Sequence, residues 1–362
     1  MKYSVDKSQA ETAYSQIYDQ LKSDIVSGAY SYGSKLPSKR LLAAETGVSV
    51  VPVEHAYAML CDEGYIESRE RSGYFVIYKE SDFQVFSEAG FSPAAPKIHT
   101  HSANTLFPYS VLAKAMRKVI LNYEDKLLVK SPNHGCPELR LALCAYLARS
   151  CGITVAPQQV IIGSGAEYLY SMIIQLLGRE RTYALENPSY DKISRVYIAN
   201  GVNYEMLKMG KDGIKSDELR KSQATVLHIT PFNSFPSGVT ATASKRREYI
   251  LWAKERGGYI IEDNYESELT VSKKNEDTVF SLSHQGPVIY LNTFSKTIAP
   301  SIRVGYMVLP EEMLGEFESK LGFYSCTVPV FEQYVLAELI QSGSFERHIN
   351  RVRRIKRKQA GI

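Results

Sequence analysis

The sequence predicts an α/β fold with a mostly parallel sheet, preceded by a small unit of three helices and a β-hairpin. Three observations carry this. Helical apolar spacing occupies residues 14–64 and gives way to a short hairpin pattern. Residues 79–105 show little periodicity and are rich in Ser, Ala and Pro, as a linker is. From about Leu106, amphipathic helices alternate with short apolar runs flanked by turns, the signature of an α/β domain. With 362 residues, 44% of them hydrophobic, the chain can form two or three domains with sizeable cores.

Composition narrows the setting. No run of about 18 apolar residues occurs, so no membrane span is expected. The polar start "MKYSVDKSQAETAYSQ" lacks the apolar centre of a signal peptide. Five cysteines, an odd number with no CxxC pair, argue against a disulfide framework or a structural zinc site and fit a reducing cytoplasm. The net charge of +4 is unevenly placed. Residues 1–80 hold nine Lys/Arg and eleven Asp/Glu, whereas residues 345–362 hold seven and one. The basic tail sets the overall charge, which therefore says little about nucleic-acid affinity of the whole.

In the first segment, Ile17, Leu21 and Ile25 share a helical face and Gly28 ends it. Ser38 stands as the N-cap of a short helix closed by Gly47. Ser49 starts a third helix, with Pro52 in the first turn and Gly64 at the stop. "YIESRERSGYFVIY" follows as a hairpin with its turn near Arg71–Gly73. The order is that of a winged helix-turn-helix spanning residues 10–78.

"KLPSKRLLAAETGVS", "AYAMLCDEGYIES" and "SGYFV" resemble the GntR superfamily of bacterial regulators. That resemblance implies DNA as partner, with the recognition helix in the major groove and basic side chains on phosphates. It implies backbone contacts from Ser38 and Arg40, base reading from the start of the Ser49 helix, and wing contacts from Arg69 and Arg71. Departures stand at Val50, where arginine is usual, at Pro52, where threonine is common, and at Arg71, which replaces the first glycine of the wing. A winged helix that packs but binds DNA poorly is the alternative reading.

In the second segment the polar residues fall after apolar runs: Ser164 after "VIIG", Tyr190 after "YALENPS", Asn233 after "LHITPF", Asp263 after "YIIE" and Lys296 after "IYLNTFS". Ligands of parallel sheets sit at these carboxyl ends. Lys296 offers an amine for an imine; Thr293, Ser295 and Arg303 offer groups for a phosphate. Asp263 can keep a pyridinium nitrogen protonated, as an electron-sink cofactor requires. Tyr265 can bond a phenolate oxygen, and Tyr190 can stack on a flat ring. "GSGAEYL", entering a helix, can give backbone N–H groups to a phosphate.

This order resembles the large domain of aspartate-aminotransferase-like, fold type I pyridoxal-phosphate enzymes, from about Phe107 to about Arg354. "NHGCPELR", "ENPSY", "ITPFNSFPSG", "IIEDNYESEL" and "NTFSKTIAPSIRVGYMVLP" are the most specific stretches. Joined to a GntR-type head, it resembles the MocR-type regulators. The resemblance implies pyridoxal 5'-phosphate as cofactor, with Lys296 as the Schiff-base lysine, Asp263 on the pyridinium, Tyr265 on the ring oxygen and Tyr190 stacked. Asn233 would reach the ring oxygen, and Gly165, Ala166, Thr293, Ser295 and Arg303 would make the phosphate cup. Asn233-Ser234 stands where His-Gln is usual, and Glu167 replaces a frequent glutamine beside the cup.

The resemblance further implies a large domain over residues 106–345, with residues 346–362 as the basic start of a small domain cut short. That small domain normally supplies the arginine that clamps a substrate's α-carboxylate; Arg195 is a weak substitute from the large domain. Three functions stay open: a homodimeric regulator sensing pyridoxal phosphate or an amine or amino acid, an aminotransferase with a regulatory appendage, and a remnant that binds neither ligand.

Overall fold

The computed structural model describes residues 3–6, 11–79, 107–270, 276–283 and 286–359. The expected linker, Lys79 apart, lies outside these. The chain divides into two compact units, 1–99 and 100–362.

In the first unit, helix α1 (Ala13–Val26) buries Ile17, Leu21 and Ile25 along one stripe. Helix α2 (Lys39–Thr46) starts at Ser38, whose hydroxyl accepts the Leu41 N–H at 3.2 Å, and ends at Gly47. Helix α3 (Val50–Asp62) carries Pro52 in its first turn and buries Val53, Ala56, Tyr57 and Leu60. Val53 and Leu60, fully buried, each contribute about 1.5–3 kcal/mol. The Tyr57 hydroxyl donates to the Pro37 carbonyl at 2.7 Å, which fixes the approach to α2 from within the core. Strands β1 (Ile66–Arg69) and β2 (Gly73–Val76) pair antiparallel, Ile66 opposite Val76 and Arg69 opposite Gly73. Arg71 stands in the turn with φ of 56°, the left-handed region that glycine favours. This gives a physical reason for a glycine at that position and a cost for the arginine.

The second unit opens with α4 (Tyr109–Tyr123) and α5 (Pro137–Cys151), the latter begun by proline and ended by Gly152. Then come β3 (Val160–Gly163), α6 (Ala166–Leu177), β4 (Thr182–Asn187), α7 (Asp191–Ala199), β5 (Asn203–Lys208) and α8 (Ser216–Lys221). The series continues with β6 (Val226–Ile229), α9 (Ala243–Glu255), β7 (Tyr259–Asp263), α10 (Val279–Ser283), β8 (Val288–Thr293) and β9 (Gly305–Val308). Helices α11 (Leu314–Leu321), α12 (Val330–Gln341) and α13 (Ser344–Gln359) follow.

The strands form one sheet in the order β3-β9-β8-β7-β6-β4-β5. All neighbours pair parallel except β9, which runs antiparallel between β3 and β8. Strand alternation sends residues to two faces. Ile161, Leu185, Ile261, Ile289 and Met307 pack with α6, α7 and α11. On the other face, Ile162, Tyr290 and Val308 meet α5, α12 and α13, while Leu227, Ile260 and Val288 meet α9. The result is a three-layer α/β/α unit. Helix α13 lays Phe345, Ile349 and Val352 into this core. Among the described residues no helix is long and apolar enough to cross a membrane.

Candidate cofactor site and DNA-facing residues

Strand register builds the first part of the site. Because β9 is antiparallel, its first residue meets the last residues of its neighbours: Gly163 faces Gly305, and Gly305 faces Thr293. The chain segments just beyond this row must then converge. Gly165 lies two residues past β3, Ser295 two past β8, and Arg303 two before β9. The Arg303 guanidinium reaches the Ser295 hydroxyl at 3.5 Å, and that hydroxyl donates to the Ile302 carbonyl at 3.1 Å. Gly165 has φ of 95°, and a Cβ placed there would come 2.8 Å from an Arg303 nitrogen. The positive φ is what favours glycine here, and the guanidinium lies close against it. Ala166 opens α6, whose first amides lack intrahelical partners. Free amides, a helix N-terminus and a guanidinium make an anion cup. Thr293 is buried at its rim, its N–H bound to Asn292 Oδ1 at 2.6 Å.

Asp263 ends β7 and is 2% exposed. Its Oδ1 accepts the Tyr265 N–H at 3.1 Å, and its Oδ2 accepts the Tyr170 hydroxyl. His228 Nε2 lies 3.9 Å from the same Oδ2 and has no hydrogen-bond partner of its own among the described residues, while His228 Nδ1 meets the Tyr197 hydroxyl at 2.9 Å. Tyr170, His228 and Tyr197 are buried neighbours of Asp263 that the sequence pattern does not single out. Their signal was the histidine inside the apolar run "TVLHITP". Burial, together with the negative charge and hydrogen bond of Asp263, holds the Tyr170 hydroxyl far above the usual tyrosine range, so it remains a donor.

The remaining predicted residues surround these. Tyr265 follows Asp263 by two, and burial, Glu266 and Asp263 push its phenol up, so it too is a hydroxyl donor at neutral pH. Tyr190 is half-exposed at the start of α7 and sets its ring edge-on to Phe235, with centroids 6.0 Å apart. Asn233 adopts φ of 52° and donates through Nδ2 to Glu266 at 3.3 Å. Glu266 is in turn paired with Lys356 of α13 at 2.8 Å. Lys296 is exposed in the turn after β8. Arg195 is 75% exposed and pairs with Asp191 on its own helix at 2.6 Å, the ordinary i,i+4 surface arrangement.

The first unit presents its predicted DNA-facing residues differently. Ser38 uses its hydroxyl as a helix cap, whereas Ser49 sits at the N-cap of α3 with no side-chain cap bond. Arg40 is exposed. Arg69 is held over the Phe75 ring at 4.4 Å and bound to Glu67 at 2.7 Å. Arg71 is 92% exposed, its nearest acid being Glu70 at 4.0 Å.

The second unit fits pyridoxal 5'-phosphate by its own chemistry. The cup gathers the Arg303 guanidinium, the Ser295 hydroxyl and the first amides of α6, donors of the kind a phosphate takes. A carboxylate has about four acceptor positions, and the buried Asp263 uses two, so it can still take a ring N–H. Among the described residues no cluster of metal-ligating side chains occurs.

Comparison with known proteins supports this division. Residues 13–76 match the gntR family of bacterial regulatory proteins, and residues 100–361 match aminotransferase class I and II. The chain is 34% identical to the uncharacterized HTH-type transcriptional regulator YdeL of Bacillus subtilis, over 96% of this chain and 78% of that one. It is 24% identical to the HTH-type pyridoxine biosynthesis transcriptional regulator PdxR of Corynebacterium glutamicum, over 96% and 77%. Among solved structures, a kynurenine aminotransferase of Pyrococcus horikoshii superposes with a TM-score of 0.61 at 26% identity. That match covers 68% of this chain and 64% of the aminotransferase, less than two thirds of its length.

Proposed function

Because the chain belongs to the HTH-type transcriptional regulators that join a gntR-family domain to an aminotransferase class I and II domain, we propose that it binds DNA and pyridoxal phosphate and responds to that cofactor or to an amine or amino acid. Members of the aminotransferase fold bind this cofactor, and a regulator of pyridoxine biosynthesis is among the relatives. The observation that carries the reading is the glycine-and-threonine row across β3, β9 and β8. It supports the reading because Arg303 then lies toward the sheet end that also carries Asp263 and the Lys296 turn.

In this reading each residue has a definite task. Asp263 holds a proton on the ring nitrogen, with Tyr170 and the Tyr265 N–H keeping its carboxylate in place. Tyr265 donates to the ring oxygen and Tyr190 covers the ring face. Gly165, Ala166, Ser295 and Arg303 take the phosphate, with Thr293 at the rim. Lys296 supplies the amine that anchors the cofactor, and an incoming amine competes for that place. The bound cofactor supplies a carbonyl that takes up an amino group. Ser38, Arg40, Ser49, Arg69 and Arg71 face DNA, in a homodimer that presents two heads.

Two measurements test this. Adding the cofactor to purified protein should give a yellow species, and borohydride should leave the cofactor's mass on the peptide that contains Lys296. A colourless protein with Lys296 intact sinks the cofactor half. A mobility shift on the promoter region beside its own gene should appear at low salt and weaken steeply as salt rises. No shift at low salt sinks the DNA half. An aminotransferase carrying a regulatory head is the second reading, favoured by the buried Asp263 beside the Lys296 turn. Amino transfer from a panel of amino acids to 2-oxoglutarate decides between them.

A further inference from the structure

The anion cup is not vacant of charge. Glu167, the second residue of α6, turns its carboxylate back into it. One oxygen accepts from the Arg303 guanidinium and the other from Lys192 Nζ at 3.3 Å. Arg303 is the cation that would face a phosphate, and Ser295 and Gly165 lie against it. The helix start that favours an anion already has one, in the first turn where an acid is best placed. Burial alone would raise the Glu167 carboxyl, but the charges and hydrogen bonds of Arg303 and Lys192 win and hold it below the usual range. The group is therefore a full anion at neutral pH.

From this we infer that Glu167 is a built-in competitor for the cofactor's phosphate: its carboxylate occupies the Arg303 cup and must be displaced when the phosphate ester binds. The inference rests on the proposed cofactor reading and goes beyond it, because it assigns a residue that lowers affinity for the phosphorylated form in particular. Two anions at one guanidinium repel each other, so the incoming phosphate loses part of the attraction the cup would otherwise give. The ion pair is partly exposed and screened by water, so it costs little to open. That combination suits a protein that reports on cofactor concentration and does not hold the cofactor permanently. An unphosphorylated pyridoxal does not enter the cup and pays no such cost.

The test uses the full chain and two variants, Glu167→Gln and Glu167→Ala, titrated with pyridoxal phosphate and, separately, with pyridoxal. Binding is read by absorbance and by tyrosine fluorescence, with thermal melting as a check on folding. Both variants should bind pyridoxal phosphate about tenfold more tightly than the wild type. Their affinity for pyridoxal should stay within about twofold. Inorganic phosphate should compete better against the cofactor in the variants. Unchanged or weaker binding of pyridoxal phosphate overturns the inference, and so does an equal gain for both ligands. Binding by the wild type with no gain in the variants leaves the cofactor reading standing and removes only the role of Glu167. If no form binds either ligand, the cofactor reading falls and the inference with it.

Discussion

Asp263 and Arg71 show two ways in which a residue proposed to meet a ligand is held. Asp263 is 2% exposed, ends a central strand, and is fixed by a tyrosine hydroxyl and a backbone N–H. Arg71 is 92% exposed on a turn, at a backbone angle that costs an arginine about 1 kcal/mol or more. In the α/β unit Asp263 is fixed before any ligand arrives. The winged unit leaves some of its groups in solvent and ties others to one another, as with Arg69 to Glu67 and Lys39 to Glu54. The difference suits the ligands proposed for the two units. A small cofactor gives few contacts and needs them preorganised. A DNA backbone gives many equivalent phosphates, which mobile cations can find.

If preorganisation carries the cofactor site, replacing the buried carboxylate should have the largest effect. Asp263→Asn keeps the shape but removes the charge that pairs with a protonated ring nitrogen. Loss of a buried charged partner costs on the order of 3 kcal/mol, about a hundredfold in affinity. Cofactor titration should show this loss while the winged unit melts as before. A loss below about threefold would mean that the ring nitrogen is not read by Asp263.

The same burial predicts a pH effect confined to the α/β unit. Glu186, at the end of β4, accepts from the Ser234 hydroxyl at 2.5 Å and the Thr230 N–H at 3.1 Å. Burial nevertheless pushes its carboxyl from 4.5 up to about 8. The folded state therefore keeps a proton that the unfolded chain releases. This raised value stabilises fully below about 4.5, and the advantage is lost as pH climbs through about 8. Buried Glu262 and Glu268, both raised to about 7, tilt the profile the same way. Glu186→Gln cannot titrate, so it should gain on the wild type as pH rises. Across the upper half of the window the gain should be about 1–2 kcal/mol. Urea midpoints of both proteins between about pH 5 and pH 8.5 measure it, and parallel profiles would show that Glu186 is ionised in the fold.

The contrast also explains what the sequence reveals. Asp263, Lys296 and Gly165 could be placed at one sheet end because each follows an apolar run, and parallel strands gather such ends on one side; Arg303 reaches the same end because it precedes β9, which runs antiparallel. The wing, its turn and the caps at Ser38 and Gly47 were readable from local chemistry. Tyr170, His228 and Tyr197 were not, because an aromatic or histidine inside an apolar run looks like core packing. The pairing of Glu167 with Arg303 spans 136 residues and depends on β9 running antiparallel, which periodicity does not show. Strand β5 escaped because it is a half-exposed edge strand that mixes polar and apolar residues.

The smallest expected effect is the most discriminating within the winged unit. Ser38 and Ser49 occupy the same formal position, each the N-cap of a helix expected to meet DNA. Only Ser38 spends its hydroxyl on the helix, accepting the Leu41 N–H at 3.2 Å. Ser38→Ala should therefore cost about 1 kcal/mol of stability in the winged unit. Ser49→Ala removes no cap bond and should change stability by less than about 0.5 kcal/mol. Its hydroxyl remains available to DNA, so the substitution should weaken a DNA mobility shift while leaving the melting curve in place. Equal losses of stability in the two variants would mean that Ser49 caps its helix in solution and that its role is structural. A stable Ser49→Ala protein with unaltered DNA binding would remove Ser49 from the DNA-facing set and leave the reading of sequence to other residues of α3.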